Sequence, residues 1–114
     1  MARKLLLLFL TLAACSKGPE ADLPYIGEAR SLAAEWALVN EQASNGHLTD
    51  AYVRTMRSDV RDQLMTSSKS LTDPGSAYGQ EISALLKEPE DASPTRLRSH
   101  ANKLKQIEDS LESD

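Results

Sequence analysis

Few side chains in this 114-residue chain are of the types that perform chemistry, and their spacing narrows what they can do. There are two histidines. His47 falls in a predicted turn and His100 in a polar stretch of the last predicted helix. Neither has a second histidine or a cysteine at metal-ligand spacing, so both read as surface histidines, and no metal or cofactor is expected. Asp59 and Asp62 are three apart, and Glu28 and Glu35 seven apart. Glycosidase chemistry needs two carboxylates facing each other across a cleft. Pairs carried on single helices read instead as solvated surface. No Gly-x-Ser-x-Gly turn is present to expose a nucleophilic serine,. The residues therefore point away from an enzyme.

The most suggestive cluster is basic. Arg54, Arg57 and Arg61 sit at i, i+3 and i+7 and share one helix face,. Guanidinium groups hold carboxylates and phosphates through paired hydrogen bonds. Two uses follow. The stripe can pair across a helical hairpin with Glu28, Glu35 or Glu41, or it can bind a small anion or cell-wall fragment. Asp50, four before Arg54, is placed for an intrahelical pair.

The single cysteine, Cys15, ends a different kind of segment. Arg3 and Lys4 precede an apolar run from Leu5 to Leu12, closed by Ala13 and Ala14. Positive, then apolar, then small is the order of a secretory signal. The apolar run is about half the ~20 residues that a spanning helix needs. Leu12-Ala13-Ala14-Cys15 resembles the lipobox of bacterial lipoproteins. That resemblance covers residues 1–15. It implies diacylglyceryl transfer to the Cys15 thiol and cleavage after Ala14, with residues 1–14 removed as signal peptide. It also accounts for an unpaired thiol in an exported chain. Ser16 follows the cysteine, which resembles lipoproteins sorted to the outer membrane, facing the periplasm, and not those retained at the inner membrane.

Removing residues 1–14 takes away Arg3 and Lys4 and no acidic residue, moving the formal charge from −4 to −6. So acidic a domain is a poor match for nucleic acid or anionic headgroups. The acyl group is the expected membrane contact. The aromatics beyond Cys15 are Tyr25, Trp36, Tyr52 and Tyr78. Alanine, leucine, glutamate, arginine and serine dominate, which is a helix-forming composition.

The fold class expected is all-α. Residues 15–23 read as the lipidated cysteine and a polar tether, and 24–114 as a single small helical domain. A first helix is predicted over about 24–45, with Asp22 as N-cap and Pro24 in its first turn. Ile26, Ala29, Ala33, Trp36, Asn40 and Ala43 form its heptad-like seam, widened by Tyr25, Leu32 and Val39. Trp36 is assigned to core packing. Asn40 is placed to set register, and the seam offers a surface for a homodimer. Gly46 stops this helix. Thr49 caps a second, over about 49–68, with the stripe Val53, Met56, Val60, Leu64 and Leu71. These two form an antiparallel hairpin. A weaker pair follows, about 74–88 and 94–111, the first capped by Asp73 and weakened by Gly79, the second capped by Ser93. Four-helix packing is the compact arrangement of the two pairs. Taken together, the expectation is an envelope lipoprotein with a helical scaffold or accessory domain that binds another envelope protein.

Overall fold

Alanine shapes the first helix and, through it, the packing of the whole domain. The structure is a computed structural model in which residues 19–113 are described. Four helices follow one another: α1 Pro19–Ser44, α2 Asp50–Ser70, α3 Ala77–Leu86 and α4 Pro94–Glu112. Among the described residues there is no strand, so the domain is all-α. Leu12, Ala13, Ala14, Cys15 and the signal segment lie outside the described residues.

α1 buries Ile26, Ala29, Leu32, Ala33, Trp36, Ala37, Val39 and Asn40. At 100° per residue these cover roughly 160° of its circumference. So wide a face needs two partners. α4 makes the most extensive interface with α1, and α2 the next. The small side chains of Ala29, Ala33 and Ala37, each fully buried, let both backbones come close. The expected seam thus faces the chain's own helices and leaves no free stripe there for a second copy.

The connections are those that the cap residues call for. Gly46 takes a φ of 73°, the left-handed conformation that releases the chain from α1,. The Thr49 side chain accepts from the N–H of Tyr52, and the Ser93 side chain from that of Arg96 with Pro94 following at the first helical position,. The short 45–49 link makes α2 antiparallel to α1. Two ion pairs fix α4 antiparallel as well: Glu41 with Arg98 at 2.8 Å and Arg30 with Glu108 at 2.9 Å. Ile82, Leu85, Leu97 and Leu104 from the second pair are fully buried in the same core as Val60 and Leu64 of α2. The second pair therefore completes the bundle, packed on α1 and not beside it.

Two boundaries differ from expectation. α1 begins at Pro19, so residues 19–23 are helix and not tether. Pro24 lies inside it, at the sixth position, and withholds one N–H from the helix ladder. Asp22, expected as this helix's N-cap, is instead fully buried within it and caps a different segment. Its carboxylate accepts from the N–H of Thr72 (2.8 Å), the N–H of Asp73 (3.1 Å) and the Tyr78 hydroxyl (2.6 Å). This ties the start of α1 to the α2–α3 connection. Burial opposes the Asp22 charge, but the donors from Tyr78, Thr72 and Asp73 outweigh it and hold the carboxyl below its ordinary range,. Burial, and then the bond to Asp22, push the Tyr78 phenol up to about 12.

α3 is shorter than expected, 77–86, because Ser76 and not Asp73 caps it, accepting from the N–H of Gly79 at 3.1 Å. Gly79 itself has a packing reason. A Cβ there would lie 2.2 Å from the Pro74 carbonyl oxygen. Glycine permits the chain to fold back against its own helix at that point.

Two outcomes are expected. Gly79→Ala gains helix propensity worth ~1 kcal/mol but meets the Pro74 backbone, so it should lower stability by a net ~1–3 kcal/mol in urea melts. A more stable variant would contradict the close approach. Tyr78 favours its neutral form in the folded state, so its contribution is full below pH 10 and disappears as pH rises toward about 12,. The melting temperature should fall over that interval, and more steeply than in Tyr78→Phe. Parallel curves would show that Tyr78 is not the group responsible. Asp22, with its lowered carboxyl, contributes above its ordinary value of 3.8 and loses that contribution as pH drops below it,.

Candidate functional site

A short α3 leaves the upper part of the bundle without a fourth helix, and the segment 87–93 crosses that space in extended or turn form. Its carbonyl oxygens are turned toward the core and need donors. The Trp36 Nε1–H donates to the Glu90 carbonyl at 3.0 Å. The Asn40 Nδ2 group donates both to Glu90 (3.0 Å) and to Ala92 (2.8 Å). With both its donors committed, the Asn40 Oδ1 must face the other way, where it accepts from Arg57 Nε at 2.9 Å. Arg61 Nη2 donates to the Glu88 carbonyl at 2.9 Å, with its guanidinium 6.0 Å from the centre of the Trp36 ring,.

The arginine stripe is therefore divided. Arg61 holds the 87–93 segment to α2, and Arg57 holds the Asn40 amide that bonds the same segment. Arg54 is exposed and forms no ion pair among the described residues, and Asp50 does not pair with it. None of the three meets Glu28, Glu35 or Glu41. Glu41 is taken by Arg98 of α4, while Glu28 and Glu35 are exposed on α1. Asp59 and Asp62 are exposed on α2. Trp36 is in the core, 2% exposed, as expected, but its indole N–H also has the specific partner just described.

His47 is exposed in the α1–α2 turn, its Nδ1 2.7 Å from Gln42 Oε1. His100 departs from expectation. It is not a surface histidine on a polar stretch but lies only 14% exposed between two carboxylates, with Nδ1 2.6 Å from Glu81 Oε1 and Nε2 2.8 Å from Glu88 Oε2. Both ring nitrogens are thus engaged by carboxylate oxygens. Glu88, 6% exposed, also receives Arg96 Nη2 at 2.7 Å. Around this group Lys87, Glu88, Arg96, Ser99, His100 and Lys103 border a hollow of about 460 Å³. Arg96, Ser99, His100 and Lys103 sit at i, i+3, i+4 and i+7, a single face of α4 that the spacing alone displays. That pattern was the available signal, but it looks like any solvated helix face until α3 brings Glu81, Lys87 and Glu88 against it.

A third surface is apolar. Between the C-terminal half of α1 and the start of α2, Leu38, Val39, Leu48, Tyr52 and Met56 line a groove of about 290 Å³, with Glu35 and Gln42 at its edge. Leu38 is 52% and Tyr52 50% exposed. Among the described residues, no group of three or more metal-ligating side chains converges, and no helix is long and apolar enough to cross a membrane. Comparison with protein-family models, curated proteins and solved structures finds no match to this chain.

Asn40→Ala should expose the dependence of the 87–93 segment on this amide. The substitution leaves the Ala92 carbonyl without its donor and Arg57 without its acceptor. Since each orphaned buried group costs ~1–3 kcal/mol, the melting temperature should drop by roughly 10 °C or more. A drop no larger than that of an exposed-site control such as Gln63→Ala would remove Asn40 from that role.

Proposed function

We propose that this chain is a cell-envelope lipoprotein, anchored through acyl chains on Cys15, whose helical domain acts as a scaffold or accessory subunit by docking another envelope protein. The lipobox-like run Leu12-Ala13-Ala14-Cys15 supports the anchor, and Ser16 favours the outer membrane, facing the periplasm. The observation that carries the docking role is the α1–α2 groove, where two large apolar side chains, Leu38 and Tyr52, stand half exposed side by side. Apolar surface grouped around a concavity and edged by polar residues is characteristic of binding faces.

The groove has room for one or two apolar side chains, as offered by one face of a partner helix. Its surroundings are acidic. Glu28 and Glu35 lie along the exposed side of α1, and Asp59 three residues beyond Met56. A partner segment carrying lysine or arginine beside its apolar anchors is the complementary one.

The two parts of this proposal separate experimentally. Cys15→Ser should move the protein from the membrane fraction to the soluble fraction. Persistence with membranes after a carbonate wash would rule out the lipid anchor. Leu38→Glu, at an exposed position, should leave the melting temperature within a few degrees of wild type. It should also abolish any partner that co-purifies with the anchored protein. Equal recovery of that partner with Leu38→Glu would remove the groove as the docking face.

A further inference from the structure

We propose that the α4 face built from Arg96, Ser99, His100 and Lys103, closed on one side by Lys87 at the end of α3, binds a phosphate monoester. The proposal is independent of the lipid anchor and of the α1–α2 groove.

Lys87, Arg96 and Lys103 bring three cationic groups to one hollow, with His100 beside them, against two carboxylates, Glu81 and Glu88. This local excess of positive charge stands on a domain whose formal charge without residues 1–14 is −6. Nothing in the fold requires its two lysines. Lys87 and Lys103 form no ion pair among the described residues, so neither is there to neutralise a neighbour.

Glu88 is buried, and both of its carboxylate oxygens are engaged: Oε1 with Arg96 and Oε2 with His100. Glu81 holds the opposite ring nitrogen of His100. The two carboxylates therefore position the cations and do not fill the hollow. His100 has both nitrogens engaged and offers a ligand no free donor. Arg96 is tied through one Nη and is otherwise largely exposed, so the rest of its donor fork remains open to a ligand,. Lys87 and Lys103 supply point charges, and the Ser99 hydroxyl borders the same space. An arginine fork, two lysines and a hydroxyl suit a tetrahedral oxyanion of charge near −2. At about 460 Å³ the hollow holds far more than the phosphate group itself, leaving space for the alcohol that esterifies it.

The test titrates the full chain, in a non-ionic detergent, with glycerol 3-phosphate, and with glycerol as the uncharged control, followed by amide chemical shifts. Saturable shifts are expected at Lys87, Arg96, Ser99, His100 and Lys103, with none for glycerol. Arg96→Gln removes a partner of buried Glu88 and can weaken the fold. The deciding variant is therefore Lys87→Gln with Lys103→Gln, both surface positions without ion pairs. It should keep the wild-type melting temperature and weaken binding roughly ten- to a hundredfold, whereas Lys69→Gln on α2 should change nothing. Mixed micelles carrying phosphatidic acid then distinguish the source. Displacement of glycerol 3-phosphate identifies a lipid headgroup, and failure to displace it a soluble ester; either supports the site. Non-saturating shifts, equal shifts with glycerol, or undiminished affinity in the double lysine variant would overturn it.

Discussion

The carbonyl groups of residues 88, 90 and 92 have to be hydrogen-bonded, and much of the structure follows from how that is done. An α-helix satisfies its carbonyls internally. α3 ends at Leu86, so beyond it the chain covers the core with backbone that cannot satisfy itself. Trp36, Asn40 and Arg61 supply the missing donors from α1 and α2. Each is a polar group placed on an otherwise apolar surface. The gain is larger than four hydrogen bonds, because buried carbonyls left without donors would each carry the full desolvation cost.

The same constraint redistributes charge. Arg57 and Arg61 are drawn inward to neutral acceptors, an amide oxygen and a carbonyl, and are thereby removed from the carboxylates of α1. Glu41 is then free for Arg98 of α4, and this pair near one end with Arg30–Glu108 near the other sets the register of α4 along α1. At the opposite end of the bundle Asp22 solves a related problem. The N–H groups of Thr72 and Asp73 emerge where α2 stops, and a buried carboxylate accepts both while also holding Tyr78. Carbonyls at one end and N–H groups at the other are satisfied by side chains of α1, which explains why the central helix carries both Asp22 and Asn40 in its buried face.

Geometry also separates the surfaces. α1 is 26 residues long, roughly 39 Å at 1.5 Å per residue,. Its first turn is the end nearer Cys15 in the chain, and the Leu38–Tyr52 groove lies near the other end, beside the α1–α2 turn. The cationic hollow lies on the α3–α4 side of the bundle. The groove and the hollow therefore have no lining residue in common.

The sequence by itself determined the helical class, the α1–α2 hairpin and most of the core. Periodicity at 3.6 residues marks which side of each helix is buried, and Thr49, Ser93 and Gly46 act through their immediate neighbours, so no distant information is needed. What the tertiary structure decided were the partners of polar side chains. Asp22 reads as a local N-cap until α1 extends back to Pro19 and the 71–73 turn arrives beside it. Arg57 and Arg61 read as partners for helix-one carboxylates until the Asn40 amide oxygen and the Glu88 carbonyl take them as acceptors. His100 reads as a surface residue until α3 and the connection after it place Glu81 and Glu88 on either side. Gly79 reads as a weakness until Pro74 packs against it. In each case the deciding contact is with an element distant in the chain or folded back on it. Hydrogen bonds and ion pairs depend on ångström-scale placement, whereas the hydrophobic pattern needs only the correct side of a helix.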